Sequence, residues 1–191
     1  KSILDLSNIE AKSFFMKGES YCSIDLPPYF NFETLLKNVD DYLQNKNIAS
    51  CYNSSSLIYE NGETKNVTLK HENFERVNRM LYNNKEGQYA WRPLQIINPA
   101  LYVDLVNKIT VEENWGLIIS RFNQFKIENS VECLSIPVLS ESERTDKGET
   151  IYQWWQKLEQ KSVELALDFD YILHTDISNC YGSIYTHSIP W

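Results

Sequence analysis

The sequence predicts an α+β fold. Stretches of helical periodicity surround one strong hairpin signal, Asn61-Gly62. Two further extended runs, Gln88 to Ile97 and Phe169 to Ile177, stand between helices. Strands and helices do not alternate as regular βαβ units, which excludes a parallel doubly wound sheet. The 191 residues suffice for one domain with its own core, and 42% hydrophobic with 23% charged residues excludes a disordered or collagen-like chain. No apolar run reaches the roughly 20 residues of a membrane span, so no membrane partner is expected.

Each element has a local cause. Residues 1–20 hold a short helix and no apolar signal-peptide core, so a cytoplasmic location is expected. Leu26-Pro27-Pro28-Tyr29-Phe30 reads as stiff and extended, because two prolines fix φ and forbid helix. Asn31 caps a helix with Phe32, Leu35, Leu36, Val39 and Leu43 on one face. Ser56 to Glu60 and Glu63 to Leu69 flank Asn61-Gly62 as hairpin arms. Phe74, Val77 and Leu81 mark another helix, and Asn83 to Gly87 a turn before the extended run. Asn98 and Pro99 supply N-cap and N1 of a helix with Leu101, Leu105 and Ile109 inward. Thr110-x-x-Glu113 reads as a capping box opening a helix that buries Trp115, Ile118, Ile119 and Phe122. Residues 140–149 read as a polar surface loop. The stripe Ile151, Trp154, Trp155, Leu158, Ser162, Leu165 and Ala166 reads as core packing. Phe169 to Ile177 is a strand, and Ser183 to Ile189 begins a last helix.

The net charge is −8, which argues against a polyanionic partner for the chain as a whole. Its distribution is uneven. Residues 1–64 carry −4, residues 65–126 carry +3 and residues 127–191 carry −7. Only the middle stretch suits phosphates. Cys22, Cys51, Cys133 and Cys180 form no CxxC pair, and none of the three histidines stands at zinc-site spacing from a cysteine. Reduced thiols in the cytosol are expected. Asn53-Ser-Ser and Asn66-Val-Thr match the glycosylation pattern and are read as chance matches.

No GxGxxG, Walker loop, HExxH or GxSxG occurs. Two segments nonetheless carry chemistry-bearing residues. In the first, Lys85-Glu-Gly87 leads to Trp91-Arg92-Pro93-Leu94 and Pro99. Arg92 offers a planar fork for phosphate oxygens and Lys85 a point charge. The plainer reading is that Arg92 caps a helix or pairs with a surface carboxylate. In the second, His174-Thr175-Asp176-Ile177-Ser178-Asn179-Cys180-Tyr181, an Asp ends an apolar strand and an aromatic follows five residues on. A carboxylate at a strand end suits a hard cation, although such an Asp is more often a turn or cap residue.

Together and in this order, the two segments resemble the N-terminal half of a bacterial reverse transcriptase. The Lys85 to Pro99 run is similar to that family's fingers motif, and Asp176 to Tyr181 to its motif A. Ile24-Asp-Leu-Pro-Pro-Tyr-Phe30, Trp91-Arg-Pro-Leu94 and Thr175 to His187 are similar to the defence-associated and abortive-infection members. The resemblance runs from about Leu26 onward. It implies the fingers and first palm strand of a right-hand polymerase fold, truncated. Residues 1–55 would be an N-terminal helical extension, 56–165 the fingers and 166–191 the start of the palm. The family's Tyr-x-Asp-Asp motif, with the second metal-binding Asp, is not among the 191 residues.

The resemblance further implies an enzyme, an RNA-directed DNA polymerase acting in anti-phage defence by two-metal nucleotidyl transfer. Asp176 would be catalytic and hold Mg2+, with the Ile177 carbonyl adding an oxygen. Arg92 and Lys85 would grip the triphosphate. Tyr181 would lie beneath the deoxyribose and exclude a 2′-hydroxyl. The implied partners are an RNA template, a DNA product and dNTP. Apart from the resemblance, exposed aromatics among the five tryptophans would suit a homo-oligomer, although buried packing is their commoner fate. This stretch alone is expected to be inactive. The alternative is a catalytically silent, polymerase-derived module for nucleic-acid binding or assembly, favoured by the −8 charge and the missing second Asp.

Overall fold

Ser7 starts the first helix by local chemistry. Its backbone N–H donates to the Glu10 carboxylate at 2.8 Å while its hydroxyl accepts from the Glu10 N–H at 3.3 Å, which closes a capping box. This is a computed structural model. It describes residues 1–24, 26–27, 29–44, 55–58, 64–67, 77–84, 91–126, 132–141, 145–178 and 183. Among them the elements run, after a 3-10 turn at Ile3–Asp5, α1 (Asn8–Phe15), α2 (Gly18–Tyr21), α3 (Phe32–Leu43), β1 (Ser55–Ile58), β2 (Thr64–Val67), β3 (Arg79–Asn84), β4 (Trp91–Ile96), α4 (Pro99–Ile109), α5 (Glu112–Lys126) and α6 (Asp146–Ala166). The architecture is mixed α+β. It divides into two units, Lys1–Tyr152 and Gln153–Trp191.

Two antiparallel hairpins account for the described strands: β1 with β2, and β3 with β4. Ser55 pairs Val67 and Ile58 pairs Thr64, antiparallel as expected but one residue off the register of a two-residue Asn61-Gly62 turn, which would pair Ile58 with Lys65; the turn itself lies outside the described residues. In the first unit two apolar clusters form. One gathers Ile3, Leu6, Ala11, Phe14 and Trp115, with Ile118, Ile119, Ile136 and Leu139 against it. Its register is held by the chain start: the Ile3 N–H donates to the Pro137 carbonyl at 3.0 Å and the Leu139 N–H to the Lys1 carbonyl at 2.9 Å. The other gathers Tyr21, Leu36 and Val103, with Ile96 of β4 against it. Residues 1–22 thus share their cores with α3, α4 and α5.

Several expectations are corrected. The helix read from Phe74, Val77 and Leu81 is absent over its described part. Arg79–Asn84 is a strand, in register from Arg79 with Ile96 to Asn84 with Trp91. The extended run supplies a partner ladder, and Asn83 and Asn84 are poor helix formers that favour no competing state. Phe74 and Lys85 to Gly87 lie outside the described residues. Leu26 to Phe30 is not simply extended, since the Phe30 N–H donates to the Pro27 carbonyl at 3.0 Å and closes a turn. Helix α4 starts as its cap predicts, with the Asn98 side chain accepting from the Ala100 N–H at 3.0 Å. Its buried residues, however, are Val103 and Val106, while Leu101 and Leu105 are exposed. The Thr110 hydroxyl donates back to the Val106 carbonyl at 2.8 Å, and the first bond of α5 runs from Trp115 N–H to the Val111 carbonyl. Asp146 rather than residue 150 begins α6, shortening the expected loop.

In the second unit the expected strand Phe169 to Ile177 is irregular. Tyr171 is 92% and Leu173 88% exposed. A strand exists by pairing, and among the described residues this segment pairs with none. The stripe on α6 is not core either: Trp155, Leu158 and Leu165 are exposed. The expected helix Ser183 to Ile189 lies, except for Ser183, outside the described residues.

Candidate functional site

The β3–β4 ribbon positions Arg92. Residues facing each other across the ladder share a side, so Leu81, Leu94 and Ile96 mark the half-buried side and Met80, Tyr82, Trp91 and Pro93 the exposed one. Arg92 pairs with Asn83 on the Leu94 side, one step beyond the packed residues, and its side chain is exposed. Neither Arg92 nor Arg79 has an ion-pair partner among the described residues, so the plainer reading of Arg92 as half of a surface pair finds no support there. Lys85 lies outside the described residues.

Asp176 belongs to the second unit. It is exposed, and its Oδ1 accepts the N–H of Ile177 at 2.8 Å, a local bond of the kind that turn aspartates make. Ile177 is exposed as well. Tyr181 lies outside the described residues. Arg92 and Asp176 are therefore each placed within their own unit. The carboxylate of Asp176 and the carbonyl of Ile177 are hard oxygens of the kind Mg2+ takes. They match that ion in type but not in number, and among the described residues no group of three His, Cys, Asp or Glu gathers to hold a metal.

The strongest electrostatic arrangements lie elsewhere, in the first unit. Asp40 of α3 is buried and joins three helices. Lys12 of α1 approaches it at 2.8 Å, and the Asn107 amide of α4 donates to it at 2.9 Å. Asp146, at the start of α6, takes the Lys17 ammonium and the Ser140 N–H, the latter at 2.7 Å. Burial pushes the Asp146 carboxyl up, but the Lys17 hydrogen bond, the Ser140 N–H and the Lys17 charge outweigh it and hold the group below the usual carboxylate range. Tyr21 and Tyr102 lie edge to face at 4.9 Å, and burial, then the neighbouring Tyr21, pushes Tyr102 up to about 12. The Lys12, Lys17, Asp40 and Asp146 roles were missed because no local pattern announces them; only Ser7-x-x-Glu10 carried a readable signal.

Glu10 gives a pH prediction. The Ser7 backbone N–H, then the Ser7 hydroxyl, then the Lys1 ammonium hold its carboxyl down to about 2, from 4.5. A depressed folded value means that its contribution to stability is complete above the unfolded value and is lost as pH falls from about 4.5 toward 2. An NMR titration of the Glu10 side-chain carboxyl carbon is expected to give a midpoint near 2. A midpoint near 4.5 would show that the capping box does not form in solution.

No protein-family model matches the chain, and no curated protein matches it.

Proposed function

We propose that this chain is the N-terminal part of an RNA-directed DNA polymerase of bacterial anti-phage defence, comprising the fingers and the first palm strand. The observation that carries the reading is the order and wording of two segments, Trp91-Arg-Pro-Leu94 followed by Thr175-Asp-Ile-Ser-Asn-Cys-Tyr181. Two structural facts support it. Arg92 stands exposed on a two-stranded ribbon without an ion-pair partner among the described residues, as a triphosphate-gripping guanidinium must before substrate arrives. Phe169 to Ile177 is exposed and pairs with no strand among the described residues, which leaves its backbone open to neighbours.

In this reading Arg92, with Lys85, binds the triphosphate and orients its α-phosphorus toward a primer hydroxyl. Tyr181 supports the sugar and leaves no space for a 2′-hydroxyl. Asp176 and the Ile177 carbonyl would hold Mg2+, which when bound supplies Lewis acidity to the phosphoryl oxygens. The reading requires a second carboxylate outside these 191 residues. The Ile177 N–H occupies only Oδ1 of Asp176 and leaves Oδ2 for the ion. The net charge of −8 favours the second reading, a catalytically silent polymerase-derived module for binding or assembly.

The test uses the whole gene product that contains this chain, with Mg2+, dNTPs and an RNA template. The parent is expected to incorporate nucleotide, and Asp176→Ala to lose incorporation while its melting temperature holds, since the side chain is exposed. Equal incorporation by Asp176→Ala would remove the role assigned to that carboxylate. RNA binding without metal-dependent incorporation by the parent would select the silent module.

A further inference from the structure

An open cavity of about 320 Å³ lies between the starts of α2 and α3. Its lining combines three kinds of group. Cys22, Ile24 and Leu26 are apolar, Phe30 is a half-exposed aromatic wall, and Glu19 and Glu33 are carboxylates. Among the described residues no lysine or arginine lines it. The wall is braced from behind. Phe30 stacks on Phe32, with ring centres 6.3 Å apart and planes 19° apart. Phe32 meets the buried Tyr21 ring edge to face at 5.1 Å, and the Tyr21 hydroxyl is tied to the Ile97 carbonyl. Tyr29, also exposed, lies 4.9 Å from Phe30. An exposed phenyl ring held in place this way presents a fixed π-face.

The two carboxylates differ in how they are occupied. Glu19 accepts the N–H groups of Asp146 and Lys147, both at a long 3.4 Å. The Glu33 carboxylate has no partner among the described residues, and Lys37, one turn further along α3, makes no ion pair there. A π-face beside a free carboxylate, over an apolar floor, is complementary to a cation carried on an alkyl stem. A planar guanidinium can lie on the ring and direct its N–H fork at the carboxylate, which a compact ammonium cannot do. The volume stands at the low end for ligand pockets, about 300–1,000 Å³, and so suits one side chain. Residues 1–64 carry a net −4, which favours approach of a basic partner.

We propose that this cavity is a pocket for an arginine side chain presented by a basic segment of another polypeptide. The inference stands on the first unit alone and does not depend on the polymerase reading. It is tested on the full chain, without metal or nucleotide, with a fluorescein-labelled decapeptide of alternating glycine and arginine, read by anisotropy and by amide chemical shifts. Saturable binding that weakens with salt is expected, with shifts centred on residues 18–33. Replacing arginine by citrulline, which keeps the shape and removes the charge, should weaken binding about tenfold or more. Phe30→Leu and Glu33→Gln should each weaken it about fivefold, while Phe30→Tyr keeps it. Both side chains are exposed, and unchanged melting curves check that the variants fold. Equal binding of the citrulline peptide, unchanged affinity in both weakening variants, shifts centred elsewhere or no saturable binding would each overturn the proposal.

Discussion

Trp115→Ala is expected to destabilise the first unit by about 3–5 kcal/mol, the range for removing a buried large aromatic. Trp115 is 5% exposed and sits at the centre of the cluster formed by Ile3, Leu6, Ala11 and Phe14. Its ring meets Phe15 edge to face at 6.1 Å, and its indole N–H donates to the Leu6 carbonyl at 3.0 Å. Alanine at this position leaves a cavity and an unsatisfied carbonyl together. Phe at the same position keeps most of the packing and loses only the donor, so Trp115→Phe should cost about 1–2 kcal/mol. Domains of this size have roughly 5–15 kcal/mol in hand, so the alanine variant should shift the urea midpoint strongly. An unchanged midpoint would show that α5 does not dock on the N-terminal segment in solution.

Asp40→Ala is expected to cost about 2–3 kcal/mol, the range for a hydrogen-bonded charged group. The carboxylate is the acceptor for both Lys12 and Asn107, so its removal strands two donors from two helices at once. Lys12 keeps about a third of its side chain in solvent and can rehydrate, which holds the figure below that of a fully buried pair. Asp40→Asn retains one acceptor and should cost less. In a double-mutant cycle with Lys12→Met, the Asp40→Ala cost should shrink, because the stranded ammonium is then gone. Additive costs would show that the two groups do not interact.

The parts legible in the sequence are those with local causes. Asn31 and Asn98-Pro99 start helices because a short side chain or a fixed φ acts within one turn of itself. The two strands around Asn61-Gly62 were legible for the same reason. What was not legible depends on partners far away in the chain. Leu81 suits helix or strand, and the β4 ladder decides it. Leu101 and Val103 both sit on helical faces, and the face that meets α3 decides which is buried. Asp40 finds Lys12 and Asn107 at separations of 28 and 67 residues, where no spacing rule reaches. Phe169 to Ile177 was readable as apolar and extended, but pairing is what turns such a run into a strand. For the candidate site, the types of Arg92 and Asp176 were readable, whereas the exposure of Arg92 and the local bond of Asp176 were not.

The bond between the Trp115 indole and the Leu6 carbonyl spans 109 residues. A ribosome adds roughly 5–20 residues per second. The first apolar segment, Ile3 to Phe14, therefore leaves the exit tunnel roughly 5–20 seconds before the tryptophan that covers it. Throughout that interval its greasy side chains are open to holdase chaperones and to neighbouring nascent chains. Codon usage between Leu6 and Trp115, which sets the length of the wait, should therefore govern the soluble yield of this protein more strongly than codon usage after Leu139.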